Sequence, residues 1–150
     1  MKPGFGTAGA ADTSQLVELL GILFTQEAEL NPDPRKQRRA LEIILQDPSR
    51  GRIYVARDAG KVIAMAALHF TTSTAEGGKA AWFEDCIVRP AYRRKGIGKA
   101  LLEHVIAQAR AEGALRVTLL TDADNERAQA LYRKAGFADS AMLAMRLNLR

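Results

Sequence analysis

The feature that most constrains the fold is a strand-like run followed by a basic turn and a helical pattern. The run AAWFEDCIV, residues 80–88, has the apolar, β-rich composition of a largely buried strand. After the turn RPAYRRKGIGK, apolar residues recur every four positions, the spacing of one helix face, at Ile97, Leu101, Val105 and Ala109. A strand, a short turn and a helix in this order predict an α/β domain.

Two helical patterns precede this unit. The first begins at Asp12, Thr13 or Ser14, has leucines at helical spacing and is predicted to reach Glu29. NPDP then breaks the chain. The second pattern is predicted to end near Asp47, because the residue before a proline is disfavoured in a helix.

Further strands are predicted on both sides of the basic turn. Ile53–Arg57 and Val62–Phe70 form a hairpin, and 71–79 reads as a polar loop. A strand at 115–122, a short helix that ends before Gly136 and a final strand at 142–150 complete the chain. We therefore expect a single domain, residues 1–150, with a mixed sheet.

Composition limits the classes of function. The formal net charge is +5 and the isoelectric point about 9.7, which favours an anionic partner. One cysteine excludes an internal disulfide, and the two histidines lack metal-ligand spacing, so no metal is predicted. The N-terminus has no signal-peptide core and no apolar run approaches the ~20 residues of a membrane span, so a cytoplasmic protein without a membrane partner is expected.

The basic turn has the composition of a phosphate cradle. Glycines let the backbone approach an anion, and a helix N-terminus presents unpaired N–H groups with a partial positive charge. It is not a dinucleotide fingerprint, because position 101 is leucine, and it is not a Walker A loop, because position 93 is arginine. A site for pyrophosphate remains, alongside the alternative of a solvated charge cluster.

EDCIVRPAYRRKGIGKALL closely resembles the acetyl-CoA-binding motif of the GCN5-related N-acetyltransferase (GNAT) family. Arg93, Gly96 and Gly98 meet the family pattern, and NERAQALYRKAGF resembles its second motif. The resemblance covers residues 80–137. It implies a largely antiparallel, mixed and twisted sheet of six to seven strands with about four helices, and an N-acetyltransferase that uses acetyl-CoA.

The resemblance also assigns roles to residues. Tyr132 would protonate the coenzyme A thiolate, and Glu84 would be the base. On a regular strand Glu84 and Asp85 point to opposite faces, so at most one is expected in the cleft; His69 or water are the other candidates for the base. The coenzyme-binding set implied by the resemblance is Cys86, Ile87, Val88, Arg93, Arg94, Lys95, Gly96, Ile97, Gly98, Lys99, Asn125 and Tyr132.

Other side chains at the motif strand are expected to be structural. Cys86 is predicted to pack as a small hydrophobe, with a ping-pong nucleophile as the alternative. Trp82 and Phe83 are expected in the core, and His104 is expected to be a packed or surface histidine.

The acceptor is less constrained. Glu27, Glu84 and Asp85 are predicted to bind a cationic primary amine, most simply a polyamine or an amino-acid-like compound, and direct attack is expected. A protein or peptide amine is the alternative, and a longer acyl group than acetyl remains open. The competing hypotheses of other classes are a basic nucleic-acid-binding module and a catalytically silent coenzyme-binding regulator. A homodimer is possible, with 142–150 as an edge strand.

Overall fold

A computed structural model describes residues 2–27 and 31–150. The predicted end of the first helix at Glu29 lies outside the described residues. The elements in chain order are β1 (Gly4–Thr7), α1 (Thr13–Gln26), α2 (Pro34–Gln46), β2 (Gly51–Asp58), β3 (Lys61–Ser73), β4 (Gly78–Val88), α3 (Ile97–Ala111), β5 (Val117–Leu119) and α4 (Glu126–Lys134). Single turns of 3₁₀-helix, Ala10–Asp12 and Pro90–Tyr92, precede α1 and follow β4.

The chain divides into two compact units, Met1–Leu120 and Thr121–Arg150. The first unit contains the sheet with α1, α2 and α3, and the second contains α4 and the C-terminal tail. The buried hydrophobic residues of the first unit, which range from Ala8 to Ala109, form its core. A single domain over residues 1–150 stays a prediction.

The sheet has the strand order β1-β2-β3-β4-β5. The first four strands pair antiparallel, and β5 pairs parallel to β4. This confirms the mixed, largely antiparallel α/β fold. The described residues form five strands, however, rather than the six to seven that were expected.

The missing strand is the predicted one at 142–150. In the part of the chain that the structure describes, this segment has no strand geometry. Alternating apolar and polar residues are necessary for a half-buried strand, but the strand also needs a neighbour that satisfies its backbone.

The predicted loop at 71–79 is mostly wrong as well. β3 continues to Ser73 and β4 begins at Gly78, with a tight turn between them in which Gly77 has φ 77°. Thr71 and Thr72 pair with Ala80 and Lys79. The prediction of a loop was based on the polarity of these side chains, but threonine is β-branched, which favours a strand.

The two faces of the sheet bury different helices. Leucines of α1, with Leu41 of α2, pack on one face against β2, β3 and Ile87 of β4. On the other face His104 of α3 lies 5.8 Å from the rings of both Phe5 and Tyr54. His104 is therefore a packing residue, as expected.

A buried ion pair fixes the start of α1 to the sheet. Asp12 is 7% exposed and accepts two hydrogen bonds of 2.7 Å from Arg57 of β2, as well as one from the Gly9 N–H. The hydrogen bonds from Arg57 outweigh the cost of burial and lower the pKa of Asp12 below 3.8. The pair therefore stabilises the fold most where Asp12 is ionised.

We expect Asp12→Asn to lower the free energy of unfolding by about 1–3 kcal/mol near neutral pH, because it leaves the Arg57 guanidinium without its carboxylate. The difference from wild type should shrink as the pH falls from 3.8 through the lower pKa that Asp12 has in the folded protein, since the carboxylate is then protonated in both the folded and the unfolded state. Urea unfolding at several pH values measures both. Glu103→Gln, in the exposed Lys99–Glu103 pair, is the control and should change stability little.

Candidate functional site

A β-bulge interrupts β4 in the middle of the motif strand. Ala67 of β3 pairs with Glu84, but Met65 pairs with Ile87, so β4 has one more residue than β3 between these pairs. Asp85 lies in this bulge with φ 56°, in the left-handed region that few residues other than glycine adopt. Because of the extra residue, Ile87 lies on the same face of the sheet as Glu84, the face that carries the core, although the two residues are three positions apart.

The bulge brings three titratable side chains together. The His69 Nε2 lies 3.5 Å from the Glu84 Oε2. Donor atoms of His69, Glu84 and Asp85 all lie within 4.8 Å of one another. The expectation that the two carboxylates point to opposite faces is therefore wrong, because it assumed a regular strand. Two carboxylates and an imidazole also match the ligand types of a divalent cation.

The side chains of the cluster shift one another's pKa values. Burial, and then the negative charge of Glu84, raise the pKa of Asp85 to about 6, against the opposing effect of His69; Glu27 adds to the increase. The hydrogen bond to Glu84 raises the pKa of His69. Asp85 is thus close to half-protonated at mildly acidic pH, which is the range suited to a general base.

Cys86 follows Asp85 on the strand. Desolvation of its thiol, and then the charge of Asp85, raise its pKa to about 12. The thiol is therefore neutral under ordinary conditions, and a neutral thiol is a poor nucleophile. This favours the packing role over the ping-pong alternative.

Trp82 lies beside the cluster, which the sequence reasoning did not predict. It was expected in the core, but it is 39% exposed, whereas Phe83 is buried as expected. Trp82 pairs directly with His69, so both side chains are on the face that Glu84 occupies. The sequence did contain a signal for this position: Trp82 is two residues before Glu84, and residues two apart on a strand share a face.

The backbone of β4 is open beyond Phe83. β4 and β5 pair only over Ala81–Phe83 and Val117–Leu119. In the residues that the structure describes, β4 continues to Val88 without a β5 partner. The open segment includes the bulge and the predicted coenzyme-binding residues Cys86, Ile87 and Val88. Ile87 is buried, and its side chain belongs to the core.

The basic turn has the backbone geometry of an anion nest. Arg94 has φ 63° and Gly96, the residue before α3, has φ 78°. Lys95 and Lys99 are exposed beside them, whereas the Ile97 side chain is buried. The Ala100 N–H makes the first helical hydrogen bond, to Gly96, so the preceding N–H groups point out of the helix end.

Arg93 braces this turn. Its Nε donates to the Val88 carbonyl at 3.0 Å. With the Gln26 amide oxygen facing it, the guanidinium also donates to the end of α1 at 2.9 and 3.1 Å. Arg93 therefore links the end of β4 to α1, and Gln26 is followed directly by Glu27.

A shallow cavity of about 610 Å³ runs along α1 in the same unit. Arg89 forms part of its lining and is held by Glu18 at 3.0 Å and by the Val62 carbonyl at 2.7 Å. Gly21 lies in the middle of α1 and lines the cavity. A Cβ at this position would meet no atom within 4 Å, so it would point into open space. The remaining lining residues are Ile22, Thr25 and Gln26.

The C-terminal unit contains the other two predicted site residues. The Asn125 side chain caps α4 by accepting from the Ala128 N–H at 3.1 Å. Tyr132 is half-buried, and its ring meets Phe137 edge-on with 5.9 Å between centroids. The two residues thus begin and nearly end the same short helix.

Comparison with known proteins identifies the family. The model of the acetyltransferase (GNAT) family matches residues 15–137. The chain belongs to the GNAT family. It is an acetyl-CoA-dependent N-acetyltransferase, which confirms the expectation from its two motifs. None of the helices in the described ranges combines the length and the apolar character of a membrane span.

Relatives in the family differ in their acceptors. A glucosamine 6-phosphate N-acetyltransferase of Trypanosoma brucei brucei is 30% identical over 132 residues, 85% of this chain and 83% of that protein. The ribosomal protein bS18-alanine N-acetyltransferase of Escherichia coli K12 is 40% identical over 55 residues, 37% of each chain. An integron cassette protein from the mobile metagenome of Cole Harbour Salt Marsh has 27% identity and a TM-score of 0.85, covering 97% of this chain and 90% of that one.

The coupling within the cluster is directly measurable. Glu84→Gln should lower the pKa of Asp85 from about 6, because it removes a neighbouring negative charge. His69→Gln should raise it, because it removes the opposing positive charge. Carboxyl NMR titration measures both shifts, with Asp12 as the internal reference. An unchanged Asp85 pKa in both variants would contradict the cluster.

Proposed function

We propose that this GNAT enzyme transfers acetyl from acetyl-CoA directly to a cationic primary amine, with Asp85 or Glu84 as the base. The observation that supports this most is the cluster of His69, Glu84 and Asp85, which adjoins the open backbone of β4. The bulge thus places candidate bases next to the backbone along which acetyl-CoA is proposed to bind. Direct attack is favoured over ping-pong chemistry by the neutral Cys86 thiol.

The donor would lie along β4 and the basic turn. Pantetheine amides pair with the open backbone at Cys86, Ile87 and Val88, and one of these N–H groups stabilises the oxyanion. The pyrophosphate binds the N–H groups and cations between Arg94 and Lys99. The positive φ of Arg94 and Gly96 supports this, because such a backbone turns successive N–H groups toward an anion.

The reaction would proceed in three proton-balanced steps. The base takes one proton from the ammonium of the acceptor and releases the neutral amine. The amine nitrogen forms a bond with the thioester carbon, and collapse of the tetrahedral intermediate breaks the carbon–sulfur bond. Tyr132 donates its proton to the departing thiolate, and the second proton of the amine nitrogen passes to the tyrosinate, directly or through water, so that the amide is neutral and Tyr132 is restored. Asn125 is proposed to contact the pantetheine arm.

Charge and shape favour a cationic acceptor. Glu27, Glu84 and Asp85 offer negative charge around the bulge, and Trp82 exposes an aromatic face beside them on which an ammonium can stack. A polyamine or an amino-acid-like amine fits this chemistry. The second candidate acceptor is a protein N-terminus, which is favoured by the similarity to the bS18-alanine acetyltransferase.

Gly98→Ala separates coenzyme binding from folding. A Cβ at this position would meet only the Val88 Cγ2 at 3.6 Å, an ordinary contact, so the fold should be unaffected. If the backbone at Gly98 approaches the pyrophosphate, the added methyl group should weaken acetyl-CoA binding about tenfold. Calorimetry measures the affinity, with Gly4→Ala on β1 as the control. Unchanged affinity would contradict binding of the coenzyme at this turn.

Asp85→Asn tests the base. If Asp85 removes the proton, this variant should lose about a hundredfold or more in kcat. Wild-type kcat/KM should rise as the pH passes about 6 and then level off, since the ionised carboxylate is the active form. Glu84→Gln is the matched comparison: a larger loss there assigns the base to Glu84. Full activity in both would exclude a carboxylate base.

Tyr132→Phe tests the acid. It should lower kcat about tenfold or more while the affinity for acetyl-CoA changes little, because the hydroxyl acts on the leaving thiolate. A thiol-release assay with a panel of polyamines, amino-acid-like amines, glucosamine 6-phosphate and N-terminal peptides measures turnover and ranks acceptors. An unchanged kcat would remove the acid role, and preference for uncharged or anionic amines would contradict the cationic acceptor.

A further inference from the structure

The end of α1 lacks the local signals that usually fix the end of a helix. Its last turn contains no basic residue, and no glycine follows it: the next residue is Glu27, whose backbone is extended, with φ −91° and ψ 128°. The negative end of this helix therefore has neither a glycine cap nor a cation from its own last turn. The positions of Gln26 and Glu27 then depend on contacts with other elements.

Arg93 makes such a contact from the turn before α3. The side-chain amide oxygen of Gln26 accepts from both terminal nitrogens of the Arg93 guanidinium, at 2.9 and 3.1 Å. The oxygen rather than the NH₂ group faces Arg93, because a guanidinium only donates hydrogen bonds. The third nitrogen, Nε, donates to the Val88 carbonyl at 3.0 Å. Each nitrogen of this guanidinium thus already has an acceptor from the protein.

This contact connects the two sides of the proposed site. Arg93 directly precedes the anion nest, and Val88, to which it donates, is three residues after Asp85 on β4. At the other end, Gln26 is followed by Glu27, whose negative charge reaches Asp85 and adds to the increase in the pKa of that carboxyl. A continuous path therefore runs from the coenzyme turn, through one side-chain contact, to the carboxylates proposed to bind the amine.

We propose that Gln26 is a positioning residue for the acceptor: held by Arg93, it fixes the carboxylate of Glu27 on the acceptor side of the site. The acceptor role of Glu27 rests on the proposed function, whereas its being held in place does not. The Arg93 side chain then contributes to the affinity for the amine rather than to that for the pyrophosphate. One turn thereby serves both substrates, with its N–H groups toward the coenzyme and its first side chain toward α1.

Gln26→Leu keeps the size of the side chain and removes the amide. It should raise the KM for the best amine of the thiol-release panel about fivefold, while kcat and the calorimetric affinity for acetyl-CoA change little, because Glu27 acts on the binding of the ammonium and not on the chemistry. Gln26→Glu keeps an oxygen that can accept from Arg93, so its KM should stay within about twofold of wild type.

Thr25→Val is the matched control in the same turn of α1. Its hydroxyl donates to the Gly21 carbonyl and not to Arg93, so the amine KM should not change. An unchanged amine KM in Gln26→Leu, or a loss of acetyl-CoA affinity as large as the rise in that KM, would overturn the positioning role.

A double-mutant cycle tests whether Gln26 acts through Arg93. Arg93→Met should raise the amine KM by a similar factor, and the double variant with Gln26→Leu should be little worse than either single variant, because both remove the same contact. Effects that multiply in the double variant would show that the two side chains act separately, and would contradict the proposal.

The position of Glu27 has a readout that does not need turnover. Glu27→Gln should lower the pKa of Asp85 from about 6 in a carboxyl NMR titration, because it removes a neighbouring negative charge. Gln26→Leu should lower it as well, since Glu27 is then no longer held, whereas Thr25→Val should not. An Asp85 pKa that is unchanged in Gln26→Leu would overturn the positioning role. If the wild type acetylates no amine, the proposed function fails, but this titration still decides whether Gln26 positions Glu27.

Discussion

The bulge at Asp85 is the constraint on which the rest of the site depends. One extra residue in β4 restores Ile87 to the core, so α1 can pack over the strand, and it places Asp85 beside Glu84 and His69. The left-handed backbone of Asp85 has a cost that a regular strand does not have. Chemistry and packing therefore depend on the same irregularity, which lies where β4 has already separated from β5.

The sequence was sufficient for the parts of the fold that local rules determine. Glycines and basic residues at 93–99 predict a strand–turn–helix unit, and the structure has β4 and α3 on either side of it. The hairpin of β2 and β3 follows from alternation and its Asp58-Ala59-Gly60 turn, in which Ala59 and Gly60 both have positive φ. Such patterns are read from neighbours in the chain.

The parts that were mispredicted depend on partners distant in the sequence. Whether Glu84 and Asp85 share a face is decided by the register against Met65 and Ala67, which no local pattern encodes. The exposure of Trp82 depends on where helices cover the sheet. The tail at 142–150 has the composition of a strand, but a strand forms only where an edge accepts it. In each case tertiary pairing, rather than propensity, determines the outcome.

Backbone NMR of the full chain titrated with acetyl-CoA tests the central claim most directly: the open segment of β4 and the turn before α3 hold the donor. The account predicts that the largest amide shifts fall on Cys86, Ile87 and Val88 and on residues 94–99, since these N–H groups gain hydrogen bonds to the coenzyme. Shifts confined to other segments, such as the basic stretch 35–39 of α2, or no shifts at saturating coenzyme, would contradict it.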